Sequence, residues 1–388
     1  MFGFLEEGEI YYHFFLDLIK DAKKSIHLQT YIFEMDLFGT QVQKELILAA
    51  QRGVKVYLLV DEFGSMNLRT HFTKELIDSG VYFCHFNDFR FKLLEHLGRR
   101  LHHKILLIDN NRCIVGGINV ISSTYGIKGL VPQLDFALGI EGSAVDGLVE
   151  YCQSIFSKSY SEKLNFDSSR EQIIGPKEQN VELKFLINDW FLRRRQISKL
   201  YSWLVETAKK DIVIINSYFF PRRKFMKQLK LAAQRGVRVR LILPKFSDWA
   251  NYVYASQYLY SYFLKNGIEI YQWKKSILHG KLATIDNSFS TVGSFNLNYT
   301  SYQQNLELNV EVSSEQFTKE LNHKIEDWIT TGCEKIEAKD FVEKATLKEK
   351  LLRYSSYLAL SLLVNFSISL AFRGARDRSE FQAKVETK

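Results

Sequence analysis

Residues 102–119 read HHKILLIDNNRCIVGGIN, and 177 residues further on positions 279–296 read HGKLATIDNSFSTVGSFN. Both obey H-x-K-x4-D-x6-G-[GS]-x-N: His102, Lys104, Asp109, Gly116, Gly117 and Asn119 in the first copy, His279, Lys281, Asp286, Gly293, Ser294 and Asn296 in the second. A single histidine at the start of a strand is ordinarily a hydrogen-bonded structural residue. Repetition of every polar position at one spacing marks this pair as a site.

The repeat extends outward from the two motifs. AAQRGVKVYLLV (49–60) returns as AAQRGVRVRLIL (232–243), and AKKSIHLQTYIF (22–33) returns as AKKDIVIINSYFF (208–220), in the same order along the chain. Each half reads as helix, strand, helix, strand and a third short strand, VYFCHF or IEIYQW, with Gly53 or Gly236 ending a helix just before a strand. Alternating helical and β periodicity predicts α/β layers around a mixed sheet. Each motif then forms a strand hairpin, with Asn110 and Asn111 in the first turn and NSF in the second. Period-2 alternation sets His102 with Lys104, and His279 with Lys281, on one strand face. His103 falls on the other face, as a bystander or a lipid-headgroup contact. A polar stretch around Gly175 and Pro176 suits a linker. The expected organisation is a first domain at 1–164, a linker at 165–182, a second domain at 183–335 and a helical C-terminal segment at 336–388.

Histidine, lysine and asparagine together suit a tetrahedral anion. Lysine supplies charge, the asparagine amide and the backbone at small residues donate hydrogen bonds, and imidazole supplies a nucleophile or a proton. The target would be a phosphoryl group. If the halves pack about a pseudo-twofold axis, the histidines lie on opposite sides of one phosphate, as in-line displacement requires. No metal-ligand spacing accompanies the motifs, so no metal or cofactor is expected and the two lysines would balance the developing charge.

The whole chain fits this reading. Its 388 residues with 46% hydrophobic content suffice for two domains, and 52 Lys+Arg against 44 Asp+Glu give a net charge of +8, which favours an anionic partner. Cys84, Cys113, Cys152 and Cys333 are too scattered for a zinc site or disulfide framework, which points to a reduced, cytosol-facing protein. The acidic N-terminal stretch does not resemble a cleaved signal. Tyr354 to Phe372 carries no charge and is bounded by Arg353 and Arg373. That segment suits an interfacial helix, with packing on the protein's own core and a membrane span as alternatives.

The doubled motif resembles the HKD signature of the phospholipase D superfamily, and the resemblance runs from about Ala22 to Trp328. It implies two α-β-α sandwich domains of phospholipase D type related by a pseudo-twofold axis and sharing one active site, with a phosphohistidine intermediate. By that analogy His102 attacks phosphorus while His279 does acid and base work. Lys104, Lys281, Asp109 and Asp286 complete the signature's catalytic set, the two aspartates in a structural capacity, anchoring strands or orienting side chains across the domain junction rather than reacting. Asn119, Asn296, Ser294 and Gly117 support the phosphate. In the family a carboxylate further along fixes a catalytic imidazole. Glu307 in NLELN stands at that spacing after Asn296, and Asp135 is the nearest candidate in the first half.

Within the superfamily, TYIFEMDLFGTQVQKELILAAQRGVKVYLLVDEFGS (30–65), NSYFFPRRKFMKQLKLAAQRGVRVRLILP (216–244) and the segment starting at Asp135 resemble bacterial cardiolipin synthases. That likeness implies phosphatidyl transfer between two phosphatidylglycerol molecules, or phosphatidylglycerol and another phospholipid, at an anionic membrane surface on the cytoplasmic side. A phospholipase D-type hydrolase is the alternative. A nuclease or phosphodiesterase and a non-catalytic membrane binder are weaker readings, and no nucleic-acid partner is expected.

Overall fold

The computed structural model describes residues 2–87, 99–122, 131–166 and 181–364. The first half runs β1 (Phe2–Glu6), α1 (Glu9–Asp21), β2 (Ser25–Thr30), α2 (Leu37–Gln51), β3 (Lys55–Asp61), α3 (Thr70–Asp78), β4 (Tyr82–Phe86), β5 (Arg100–Leu101), β6 (Lys104–Ile108), β7 (Arg112–Gly116), β8 (Phe136–Glu141) and α4 (Asp146–Ser159). The second runs β9 (Glu182–Asp189), β10 (Arg194–Arg195), α5 (Gln196–Thr207), β11 (Asp211–Asn216), α6 (Arg223–Gln234), β12 (Arg238–Pro244), α7 (Ala250–Lys265), β13 (Glu269–Trp273), β14 (Lys281–Ile285), β15 (Phe289–Gly293), α8 (Tyr299–Gln303), β16 (Asn305–Ser313), α9 (Glu315–Gly332) and β17 (Cys333–Lys335).

The strand order is β1-β8-β7-β6-β2-β3-β4 in the first sheet, and β9-β16-β15-β14-β11-β12-β13 repeats it in the second, with β10 and β17 added at the edges. The halves are therefore topological copies. The repeat reaches further than its sequence signal: β1 and β9 open the two halves ahead of α1 and α5, whereas the sequence match begins at Ala22 and Ala208, where those helices end. Gly53 and Gly236, at φ 87° and 88°, end α2 and α6 in the left-handed region and turn the chain directly into β3 and β12. Residues 167–180, most of the expected linker, lie outside the described residues.

Burial explains how the copies associate. On its outer side each sheet packs against its own helices, with Leu28, Val42, Leu46 and Val56 in the first half and Ile214, Leu229, Leu241 and Phe263 in the second. The inner faces share one core that joins Leu107, Val115, Leu138 and Phe156 to Leu282, Val292, Leu308 and Ile325. Phe136 stacks on Trp328 at 4.9 Å between ring centroids across that junction. A continuous apolar core of this kind holds the two halves as one body.

Backbone pairing then fixes their register. Short β5, from the first half, runs parallel to β16 of the second, and Leu134 forms a parallel bridge with Leu278 in the reciprocal direction. The amide of His102 donates to the Leu306 carbonyl at 2.9 Å, and that of His279 to the Leu134 carbonyl at 3.0 Å. Each motif histidine is thus stitched beside the residue that precedes a carboxylate of the opposite half.

Candidate active site

That stitching crosses the side chains as well. His102 Nδ1 donates to Glu307 Oε2 at 2.9 Å, and His279 Nδ1 donates to Asp135 Oδ2 at 2.6 Å. Each imidazole is held by a carboxylate from the other half. With Nδ1 engaged, Nε2 is the nitrogen left to meet a substrate in both rings.

Glu307 is fully buried in β16 and receives three further donors: Ser294 Oγ, Ser301 Oγ at 2.6 Å and Asn305 Nδ2 at 3.0 Å. Burial alone would raise its pKa, but the charge and hydrogen bond of His102, with Lys104 and Ser294, bring it down to about 2. Asp135 is likewise held below the usual carboxylate range against burial, chiefly by Lys281 and His279, and also accepts from the Phe136 amide at 2.8 Å. Burial lowers the imidazole of His102 to about 4, and burial with the charge of Lys281 lowers that of His279. Both rings are therefore neutral near pH 7.

Two lysines face this pair. Lys104 donates to the His102 carbonyl at 2.5 Å and lies 5.4 Å from the centroid of the Tyr31 ring, while Lys281 donates to the His279 carbonyl. Burial and mutual repulsion with Lys281 lower Lys104 to about 7, and burial lowers Lys281. Two buried cations with depressed affinity for their protons form a site that gains stability when an anion enters.

The asparagines frame the same space. Asn119 Oδ1 accepts from the Ile32 amide at 3.1 Å, and Asn296 Oδ1 accepts from Ser217 Oγ at 2.8 Å, so each commits its oxygen and keeps its NH2 end as a donor. Gly117 is required by contact: a Cβ there would stand 2.2 Å from Asp135 Oδ1. At the matching position Ser294 fits and donates to Glu307.

Asp109 and Asp286 do not join this group. They sit at the far ends of β6 and β14, roughly 16 Å from the lysines at about 3.3 Å per strand residue. Asp109 accepts from the amides of Lys23, Lys24 and Ser25, and Asp286 from those of Lys209, Lys210 and Asp211, at 2.7–3.1 Å. Each anchors the entry to a strand of its own half, as one of the two readings had it; the other, a role across the junction, is corrected, and with it their place in the catalytic set. Positive φ at Asp109, Asn110, Asp286 and Asn287 suits these turn residues. A headgroup contact for His103 is also corrected, because it is completely buried, donating from Nε2 to Gln29 at 2.8 Å and accepting from Tyr151 at 3.2 Å.

Several neighbours carried no explicit sign in the motif. Tyr31 and Tyr218 lie beside the histidines of their own halves, at 5.0 Å and 6.2 Å between ring centroids. Both stand in the paired stretches TYIF and NSYFF, where the repeat itself was the available signal. The Tyr218 hydroxyl donates to Asp248 at 2.6 Å, and nothing in the sequence singles out that aspartate.

Duplicated sheets of this order, closed on one pair of lysine-flanked histidines, define a two-lobed protein of the phospholipase D superfamily. A family model described as the phospholipase D-like domain of cardiolipin synthase matches residues 15–142 and 203–329. Cardiolipin synthase B of Shigella flexneri is 32% identical over 341 residues, covering 86% of this chain and 81% of that protein. Cardiolipin synthase 2 of Bacillus anthracis is 30% identical over 316 residues, covering 79% and 60%. The chain belongs to the cardiolipin synthase family of phospholipase D-like proteins. Its fold is shared with phosphatidylserine synthase of Haemophilus influenzae, at a TM-score of 0.72, 15% identity and 94% coverage of both chains.

Proposed function

We propose that this protein is a phosphatidyltransferase that makes cardiolipin from two molecules of phosphatidylglycerol, with His102 as nucleophile and His279 as acid and base. The crossed carboxylate-histidine pairs carry this reading, since they present two Nε2 atoms to one cationic space. In the first step His102 Nε2 bonds to phosphorus, the bond from phosphorus to the glycerol oxygen breaks, and His279 gives that oxygen its proton. In the second, the hydroxyl of another phosphatidylglycerol passes its proton to His279 as its oxygen bonds to phosphorus, and the bond to His102 breaks. Lys104 and Lys281, with the amides of Asn119 and Asn296, balance charge on the non-bridging oxygens. Entry of the phosphodiester anion raises the proton affinity of His279, which the two lysines otherwise depress.

The surroundings of the histidines favour this division of roles. Tyr218 stands beside His279 and binds Asp248, whose carboxylate accepts hydrogen bonds from an alcohol and repels a phosphate. The leaving and entering alcohols therefore sit on the His279 side. No matching carboxylate stands at that position in the first half, where Ser65 occupies the place of Asp248 in the repeat.

Attachment to an anionic membrane from the cytoplasmic face is part of the same reading. Four free cysteines suit a reducing compartment, and the net positive charge suits an anionic leaflet. No helix among the described residues is long and apolar enough to cross a membrane. Residues 347–364 form a helix on which Leu347, Leu351, Tyr354, Leu358 and Leu362 are exposed along one stripe, while Tyr357 packs on Phe220 and Tyr258. An exposed apolar stripe at this spacing is the pattern of an interfacial helix. Residues 365–372 of the expected segment lie outside the described residues.

The test is to incubate purified protein with phosphatidylglycerol vesicles and quantify products. Cardiolipin and free glycerol in equal amounts are expected. Phosphatidic acid with glycerol would make the protein a hydrolase, and inertness on lipid with salt-sensitive DNA cleavage would overturn the reading altogether.

A further inference from the structure

The loops that follow β3 and β12 occupy equivalent places in the two halves, and in both the strand end next to them carries a site tyrosine. Placed in register by the repeat, Phe63 matches Phe246 and Met66 matches Trp249, each pair 183 residues apart. The residues between and before them have diverged, Asp61 to Pro244, Gly64 to Ser247 and Ser65 to Asp248. Exposure of the apolar side chains has not: Phe63 is 49% and Phe246 48% exposed, Met66 69% and Trp249 62%. Single exposed apolar residues are ordinary on a protein surface. Two matched pairs in loops of otherwise different chemistry are a repeated feature of the surface.

Both loops are held firmly from beneath. The buried Asp61 carboxylate accepts from the amides of Phe63 and Gly64 at 3.0 Å and from that of Leu101 at 2.8 Å, and Ser65 Oγ donates to the Tyr31 carbonyl at 3.0 Å. In the second half Asp248 accepts from the Tyr218 hydroxyl and from the Trp249 amide at 3.1 Å. Tyr31 and Tyr218 are the residues beside His102 and His279, so each loop is one contact removed from its own histidine. Arg100, two residues before His102, lies over the Phe63 ring at 4.9 Å. The two apolar tips therefore flank the mouth of the site, the first with an arginine directly behind it.

We propose that these loops are a pair of prongs that enter an anionic bilayer and seat the mouth of the active site against it. Aromatic and methionine side chains at the tips insert among the acyl chains, and Arg100 behind the first tip meets phosphate headgroups, in keeping with the net positive charge of the chain. A phospholipid then needs to rise only part of the way out of the leaflet to place its phosphate between the histidines. This inference rests on the phosphatidyltransferase reading and adds to it the face that meets the lipid.

The experiment compares the full-length wild type with F63S/M66S, F246S/W249S and the combined fourfold variant. Each is assayed for sedimentation with vesicles of phosphatidylglycerol and phosphatidylcholine, and for turnover of a short-chain phosphatidylglycerol kept monomeric in water. Vesicle affinity should fall by about tenfold for each loop changed, since each removes two large apolar side chains from the lipid, with monomeric turnover within about twofold of wild type. Nitroxide labels on F63C and on W249C should both report immersion below the phosphate plane. Wild-type vesicle affinity in the fourfold variant, or labels at both positions that remain in water, would overturn the proposal. So would a concentration-dependent dimer that the fourfold change abolishes while vesicle affinity stays unchanged, because the tips would then be covered by a second copy. Absence of turnover on both substrates by the wild type would instead defeat the phosphatidyltransferase reading.

Discussion

His102 is held by a glutamate and His279 by an aspartate, and the residues behind the two carboxylates differ to match. Glu307 is longer by one methylene, about 1.5 Å, so its carboxylate reaches His102 while leaving room for Ser294, which donates to it. The shorter Asp135 brings its own backbone close to the hairpin, and a Cβ at Gly117 would stand 2.2 Å from Oδ1. The residue after the motif histidine differs in the same way. At Gly280 a Cβ would meet the Phe136 ring at 2.3 Å, whereas His103 at that place in the first half fills a buried pocket against Gln29 and Tyr151. A duplication has kept the two Nε2 atoms equivalent and let each supporting shell settle into its own packing.

The largest expected effects test whether each carboxylate serves the opposite half. Glu307→Gln and Asp135→Asn should each lower kcat by roughly 10²–10⁴, because an amide no longer stabilises the imidazolium or fixes its tautomer. Steady-state rates of cardiolipin formation measure this, and a normal rate in either variant would break the crossed arrangement. Next comes the glycine-serine difference. Gly117→Ala should cost about 10² in activity by displacing Asp135, while Ser294→Ala removes one hydrogen bond to a charged group and should cost about tenfold; equal effects would mean that the two shells are interchangeable.

Smaller effects sharpen the division of roles. Asp248→Asn should reduce transfer to an alcohol acceptor by about tenfold relative to transfer to water, read as the ratio of cardiolipin to phosphatidic acid, since a charge-assisted hydrogen bond becomes a neutral one. An unchanged ratio would remove the argument for placing alcohols beside His279. The pH profile follows from Lys104, lowered to about 7 by burial and by Lys281. It is charged below that value and neutral above it, so kcat/KM should fall by up to about tenfold per pH unit on the alkaline side of about 7. A profile flat to pH 9 would show that Lys104 keeps its charge in the free enzyme.

Much of the site could be read from one chain because duplication supplied its own control. His102, Lys104, Asp109 and Asn119 of the first motif each had an identical counterpart, and the same doubling exposed the βα order around it. Cross-half contacts could not be read that way. Glu307 lies 205 residues from His102 and Asp135 lies 144 from His279, and neither carboxylate has a local periodicity that points to its partner. Asp109 and Asp286 show the reverse case, in which strict repetition reflects anchoring of a strand entry. Both leading strands β1 and β9 lay outside the sequence match because strand pairing is made by the backbone and leaves side-chain identity free to diverge. The C-terminal stripe was also partly hidden: Leu347 and Leu351 sit among Lys348, Lys350 and Arg353, so a search for an uncharged run starts after them.

Passage of the phosphatidyl group through His102 of one shared site can be tested directly. Wild-type protein mixed with phosphatidylglycerol labelled at phosphorus, quenched in alkali within a single turnover and digested to peptides, locates the intermediate directly. A phosphorus label on Nε2 of His102 that disappears when a second phosphatidylglycerol is supplied is the expected result. A label on His279 would contradict it.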